Sequence, residues 1–600
     1  MGFLHALTQT APENVPDHLA GSAPGGPASR RRARRSWLIP LVLFLLCFVP
    51  RGLMIWRIDA VCDDGYYYIA VAKSLQEGEY GRAFHYLNLN VYPALLAAVR
   101  WLGLEWVAAA KALGVLAASL AVLPLFGWVR RLFDERLATV AGFLYAAHPN
   151  LVEDSVEPIR EPVFWLFFSL ALYLLWLAAD KNRLWRYALA GAALALAIHT
   201  RSEGWILLVP VALWPALRWT GTAVRERWRL IAGPAVCMAM TPLLIAAVNL
   251  TLLQDHPRWE WGRLVHFQIG WQWLQAPFER PGVDSGACLP ALRSVVRSSP
   301  LPLTAAVLPA ASRPAPQPQP LPVAAAPEAD DLPPAIVPTV APRVSRSRAE
   351  MTWMYFKNLV DTLEPVNLVL LIIGLAVGGR LLVQRDKLVL LSLSLAMLLG
   401  VWIRLSASGD MNGRYFYTLT LLLVPWEAIG LIALVRWMGR RSPQAARRAA
   451  LLTMITLVAL FWTDALTSQH PRRDAHARLG RWMRRELGPL RSVVVDRSSC
   501  RVGYFAQETI PQIGAEDRPM RTLLAEETPE LVILSVKNNP SYQSPELIAW
   551  LESQGLMRLD TADLPYDREE FIVLTRRLPR SLSAARRQQL AAQRADALRQ

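Results

Sequence analysis

Cysteine is scarce in this chain, five in 600 residues, with no C-x-x-C pair and no metal-ligand spacing. That excludes a zinc module or a disulfide framework as the organising device. Cys62, Cys288 and Cys500 fall on one side of the topology derived below, where a single bridge is the most they allow. A soluble basic domain is missing too: the net charge of +16 sits in clusters beside apolar runs, which argues against nucleic acid as a partner. No cleavage site follows the first apolar stretch, which continues from the basic run RRRARR (30–35) to Trp56 and reads as an uncleaved span. Internal repeats are not found either.

Apolar surface is abundant. Hydrophobic residues make up 53% of the chain, and runs of about 17 to 25 apolar residues, enough to cross about 30 Å of hydrocarbon, recur along most of it. The expected fold class is an α-helical polytopic membrane protein of about eleven transmembrane helices with a small C-terminal extracytoplasmic α/β domain. The spans are 36–56, 107–127, 137–152, 162–179, 186–199, 204–218, 230–253, 366–383, 388–405, 414–436 and 449–467. Residues 1–35 read as a disordered basic tail and 36–467 as the membrane domain. A Pro- and Ala-rich linker at 298–343 lies inside one long loop. After the last span the pattern turns soluble: an amphipathic helix near 475–488, strands at 491–496 and 530–536, a helix near 545–554 and a strand at 569–575 make an α/β domain over 468–579. A basic, solvated helical tail at 580–600 follows.

Alternate connections differ in charge. RRLFDER (130–136), DKNRLWR (180–186), RWTGTAVRERWR (218–229), RLLVQRDK (380–387) and RWMGRRSPQAARR (436–448) are basic. The stretch after Trp56, EDSVEPIRE (153–161), HTRSEG (199–204), the long segment 254–365 and SASGDMNGR (406–414) are acidic or mixed. Lys and Arg mark the cytoplasmic side, so the expected topology has the N-terminus inside and the C-terminus outside.

The mixed connections carry the chemically suggestive residues. Asp63 and Asp64 open IDAVCDDGYYYIAVAKSL, where Tyr67, Ile69, Val71, Ala72 and Leu75 are placed to lie on the membrane surface. Glu157, Arg160 and Glu161 crowd the second connection, with Glu153 and Asp154 beside them and Pro162 suited to the first turn of the next helix. His199, Arg201 and Glu203 interrupt two apolar runs, and an arginine near hydrocarbon, at about 2.5–3.5 kcal/mol on insertion scales, is expected to be paired or to face a polar cavity. Asp410 and Arg414 stand at the mouth of a later span. Local ion pairs would account for several of these one by one. Gathered on one face, the arginines suit a phosphate leaving group and the carboxylates suit proton removal from a hydroxyl.

In this order the motifs resemble those of the C-type glycosyltransferases, the polytopic family that includes protein O-mannosyltransferases and lipid A aminoarabinose transferases. The resemblance is carried by DDGYYYIAVAKSL (63–75), IREPVFWLFFSLALYLL (159–175), TRSEGWILLVP (200–210) and GRYFYTLTLLLVP (413–425). It implies transfer of a sugar from a polyprenyl-phosphate donor to a lipid, glycan or protein acceptor on the outer face of the cell membrane. The essential aspartate is then Asp63 or Asp64, Glu161 is a second acidic site residue, and Arg201 and Arg414 take the lipid phosphate. Relatives of the aminoarabinose type have a Lys-Pro-Pro element where this chain reads NLNVYPALLAA (88–98), leaving Arg82 or His85 to supply the cation. Arg160, Glu157, Glu203 and Asp410 are supporting residues. The implied mechanism is displacement with inversion, an aspartate serving as base. No cofactor is required by the pattern, and a divalent metal, Mg or Mn, is compatible with the outer carboxylates. The alternative is a polytopic lipid or sugar transporter or flippase, since membrane-embedded Arg and Glu also mark substrate pathways. The missing repeat and the one-sided clustering of charge count against it.

Overall fold

The computed structural model describes residues 27–55, 62–254, 347–382, 384–408, 411–439, scattered positions from 442 to 459, 471–496, 499–507, 512–513, 528–536, 540–560, 564 and 571–597. Two units divide the chain, Met1–Arg263 with Val340–Gln600, and Leu264–Thr339. The second unit, the whole of the expected linker and most of the expected last span lie outside the described residues.

Among the described residues seven helical segments are long and apolar enough to cross a membrane: Leu38–Ile55, Trp106–Leu132, Glu161–Lys181, Val224–Leu252, Pro365–Leu382, Arg385–Ser406 and Gly413–Met438. They coincide with seven of the eleven expected spans. The first belongs to α1 (Pro27–Ile55), so the basic run placed in a disordered tail is helical. Arg and Ala are good helix formers, and extending a helix already nucleated by a span costs little. After it come α2 (Asp63–Gln76), α3 (Tyr80–Tyr86), α4 (Val91–Arg100) and the span α5 (Trp106–Leu132). The segment expected at 137–152 is two helices, α6 (Glu135–Ala147) and α7 (Pro149–Ser155). Between them His148 is extended (φ −61°, ψ 118°), because Pro149 disfavours helical backbone in the residue before it.

The spans continue with α8 (Glu161–Lys181), which has Pro162 in its first turn, and α9 (Leu184–Thr200). Arg201 is extended, and a 3₁₀ turn at Ser202–Leu207 leads into α10 (Leu208–Arg218), so the region expected as 204–218 is a turn plus a short helix. Gly204 is required there, since a Cβ would lie 2.7 Å from the Ile198 nitrogen. Next are α11 (Arg227–Leu252), α12 (Arg348–Leu363), α13 (Pro365–Leu382), α14 (Arg385–Ser408) and α15 (Tyr417–Met438). The helices α13 and α15 meet through backbone: a Cβ on Gly374 would stand 1.8 Å from the Trp426 carbonyl oxygen, and one on Gly430 would stand 1.9 Å from that of Leu370.

The two sets of connections separate to opposite ends of the bundle. At the basic end Arg218 bridges Asp180 at 3.1 Å and Asp386 at 3.6 Å, and Asn182 donates to the Glu226 carbonyl at 3.2 Å. The Lys387 ammonium stands 4.8 Å over the Phe133 ring. Arg186, Arg227 and Arg229 cover Trp185, Trp219 and Trp228 at 5.2, 5.5 and 5.5 Å, the amphipathic girdle expected at a membrane boundary. At the opposite end Asn150 donates to the Thr362 carbonyl at 3.2 Å and to Glu364 at 2.9 Å, and Thr362 donates to the Gly413 carbonyl at 3.2 Å. Arg51, fully buried, donates to the Ala146 carbonyl at 3.1 Å there.

The C-terminal part holds α16 (Pro471–Leu487), β1 (Val493–Val495), α17 (Cys500–Gln507), β2 (Gln512–Ile513), β3 (Leu531–Ser535), α18 (Pro545–Ser553), β4 (Met557–Leu559), β5 (Phe571–Thr575) and α19 (Ala584–Ala597). The sheet order is β2-β1-β3-β5-β4, with β1 parallel to β2 and β3, and β5 antiparallel to β3 and β4. Helices cover both faces, which is why every residue of VVV and LVILS is buried. Val494, Val532 and Leu574 pack with Leu551 of α18. Val493, Val495, Ile533 and Val573 share a cluster with Met483 and Val502, and this cluster continues into Tyr66, Ile69, Ala72, Ala110 and Leu113. Ile69, Val71 and Ala72, expected on the membrane surface, are therefore buried, with α17 among the elements packed against α2. The tail expected as solvated is docked: Leu590 is buried, Ser581 N–H donates to Glu486 at 2.7 Å, and Arg586 pairs with Asp560.

Candidate active site

Asp63 and Asp64 are the first two residues of α2, where unpaired backbone N–H groups and the helix dipole favour negative charge. The Asp63 side chain lies outside the described residues; Asp64 Oδ2 is 3.8 Å from Arg414 Nη1. Arg414 belongs to a 3₁₀ turn, Gly413–Phe416, whose start is fixed by Asn412 Oδ1 accepting from the Arg414 N–H at 3.1 Å. The guanidinium of Arg414 also feels Asp154 and Glu161. Residues 350 apart in sequence thus meet as an ion pair, partly open to solvent on the Asp64 side.

Behind this pair is a second one. Glu161, at the start of α8 and buried, pairs with Arg201, whose other Nη bonds Glu203 Oε1 at 2.5 Å. Only 3% of Arg201 is exposed, so two carboxylates take up its charge where water cannot. Burial alone would raise the Glu203 carboxyl, but the Arg201 guanidinium prevails and holds it down at about 2. The cation of Arg201 lies 5.5 Å over the Tyr415 ring, and Arg404 covers the same ring at 4.2 Å. Arg160 stands 5.7 Å over the ring of Tyr68, a buried side chain. Burial pushes the Tyr68 phenol up to about 12, with Arg160, Glu161, Asp64 and Arg201 all close enough to act on it. The first connection is tied to this cluster by Asn90, which caps α4 and donates to the Thr200 carbonyl at 3.4 Å.

Of the residues expected from sequence, Asp64, Glu161, Arg160, Arg201, Glu203 and Arg414 converge, and Glu157 is buried in the same connection. Arg82 and His85 are on α3 with side chains outside the described residues, as is the whole of Asp410. Arg201 differs from expectation in its partners: it is matched to two carboxylates. Tyr68, Asn90 and Arg404 were not expected. Arg404 is hidden in the apolar run VWIRLSAS, while an Asn directly before an apolar helical run is a capping signal that could have marked Asn90. Among the described residues no group of three or more His, Cys, Asp or Glu is placed to hold a metal ion. Asp64 and Glu161 already face guanidinium groups, a donor set that does not fit a divalent cation without rearrangement.

The structure is a multi-pass helical bundle with carboxylates and arginines gathered at one end, an arrangement suited to charged groups. Residues 93–246 match the family model described as dolichyl-phosphate-mannose-protein mannosyltransferase. The resemblance read from the motifs is borne out over these residues, which take in the motifs at 159–175 and 200–210. A search of curated proteins gives no match. Among solved structures, ArnT from Cupriavidus metallidurans in the apo state is similar, with 12% identity, a TM-score of 0.49, and 92% of this chain and 98% of that one covered. The same protein bound to undecaprenyl phosphate gives 12%, 0.48, 91% and 98%. The Archaeoglobus fulgidus oligosaccharyltransferase in complex with Zn and sulfate gives 13%, 0.48, 90% and 75%.

Proposed function

We propose that the protein transfers a sugar from a polyprenyl-phosphate donor to a hydroxyl of a lipid, glycan or protein acceptor on the non-cytoplasmic face, inverting the anomeric carbon. The pairing of Asp64 with Arg414 carries this reading, because it joins a base and a phosphate-binding cation from opposite ends of the membrane domain. The carboxylate of Asp64, or of its neighbour Asp63, takes the proton of the acceptor hydroxyl. That oxygen bonds to the anomeric carbon from the face opposite the phosphate, the carbon–oxygen bond to phosphate breaks, and its electron pair leaves with the lipid phosphate. Arg414 meets the charge that develops there. Donor phosphate competes with Asp64 for Arg414, so occupancy frees the carboxylate to act as base. Arg201 holds Glu161 and Glu203 in place behind the reacting groups. The shared location of the basic connections supports the expected orientation, with the site outside.

Single Asp63→Asn and Asp64→Asn substitutions, assayed in membranes supplied with a labelled polyprenyl-phosphate sugar, test the mechanism. Loss of the base lowers transfer about 10²- to 10⁴-fold. Two variants that both match the parent rate rule the mechanism out.

A further inference from the structure

Large apolar side chains exposed among the described residues all lie between Leu38 and Ile455, and none lies in the sheet-bearing C-terminal part. Among the described residues such side chains are confined to the spans and the segments that join or flank them. The two most exposed of all, Trp101 at 80% and Leu102 at 78%, are nevertheless outside every span. They sit at the tip of the turn between α4 and α5, with Leu104 beside them at 38%. The tip is held rigidly. Trp101, Leu102 and Gly103 N–H groups donate to the Ala98, Val99 and Arg100 carbonyls at 3.2, 3.0 and 3.0 Å, and Gly103 closes the turn at φ +85°, where only glycine is unstrained.

We propose that this tip is a wedge seated in the headgroup and upper acyl region of the bilayer leaflet on the site side. The span α5 begins at Trp106, two residues after Leu104. At about 1.5 Å per residue α5 is roughly 10 Å longer than the hydrocarbon is thick, and its far end carries Arg130 and Arg131, so Trp106 stands in the interfacial layer. Arg100, 5.6 Å over the Trp106 ring, holds a cation at the same level, where lipid phosphates lie. An aromatic and two leucines beside an arginine at that depth fit lipid and have no comparable partner in water. Because α4 packs on α2, the wedge fixes the height of Asp64 above the bilayer. The inference concerns membrane contact and stands apart from the reaction proposed above.

Spin labels on Leu102→Cys, in the full chain reconstituted in phosphatidylglycerol–phosphatidylethanolamine nanodiscs, provide the test. All variants carry Cys288→Ser, and the protein with that change alone serves as blank, since the other four cysteines are buried. Leu243→Cys, exposed in a span, gives the lipid reference, and Gln588→Cys, exposed on α19, gives the water reference. The wedge requires the ratio of oxygen to nickel-chelate accessibility at Leu102 to lie nearer the Leu243 value. A ratio nearer that of Gln588 overturns it. So does low accessibility to both reagents, the sign of cover by another part of the chain or by another protein. Trp101→Cys, read the same way, replaces Leu102→Cys if that variant fails to fold.

Discussion

At the scale of single residues, the guanidinium of Arg201 sets the energetics of the site, because it is itself buried and neutralises two carboxylates, one buried and one only slightly exposed. Arg201→Met strands both charges and costs about 3–5 kcal/mol, read as a lowered unfolding midpoint in mixed micelles. A loss under about 1 kcal/mol would show that the cluster is solvated in the folded protein. Glu203 gives this arrangement a pH signature. Its carboxyl is depressed from the usual 4.5 to about 2, so the stability it contributes is complete above about pH 4.5 and is lost as pH falls through 2. Between those values Glu203→Gln should flatten the fall in stability, and an unchanged slope would refute the pairing. Asp64, Glu161, Arg201 and Arg414 were legible in the sequence because each breaks an apolar pattern where charge is expensive. Tyr68 and Arg404 were not, since an aromatic in an apolar helix and an arginine near a span's end are ordinary there. The sequence showed that Arg201 needed a partner without showing that it had two.

Elements were legible where a single period ran unbroken for the length of a membrane crossing. Those that misled were broken or cut short: Pro149 divides α6 from α7, and the 3₁₀ turn after extended Arg201 takes the first residues expected of the span 204–218. Both breaks put charged residues at the site end, so they serve the site while obscuring the span count. The packing of α13 on α15 was also invisible, because a glycine in an apolar run gives no sign of what approaches it. Gly374→Ala should cost about 1–3 kcal/mol by driving the two helices apart. Gly379→Ala, with nothing within 4 Å, should be neutral or stabilise by up to about 1 kcal/mol. Equal effects in thermal unfolding would remove the close crossing as the cause.

For the whole molecule, sidedness is the property on which the proposed function depends. In a Cys288→Ser background, a membrane-impermeant thiol reagent applied to intact cells should label Gln588→Cys on α19 and spare Lys181→Cys at the basic end until the membrane is opened. The reverse pattern would put the site in the cytoplasm. The joint between the C-terminal sheet and the first connection could not be read locally, since neither side shows an unmet apolar face until both are folded. Tyr504 packs on Tyr66 with ring centres 5.1 Å apart and donates to Glu105 at 3.2 Å, so α2 borrows its core from residues made some 440 positions later. At about 5–20 residues per second, the ribosome delivers that partner roughly 20 to 90 s after Tyr66 emerges. The helix bearing Asp64 is among the first parts of the site to be synthesised and the last to be enclosed, so a newly made chain passes through a long interval in which its base is present but not yet held.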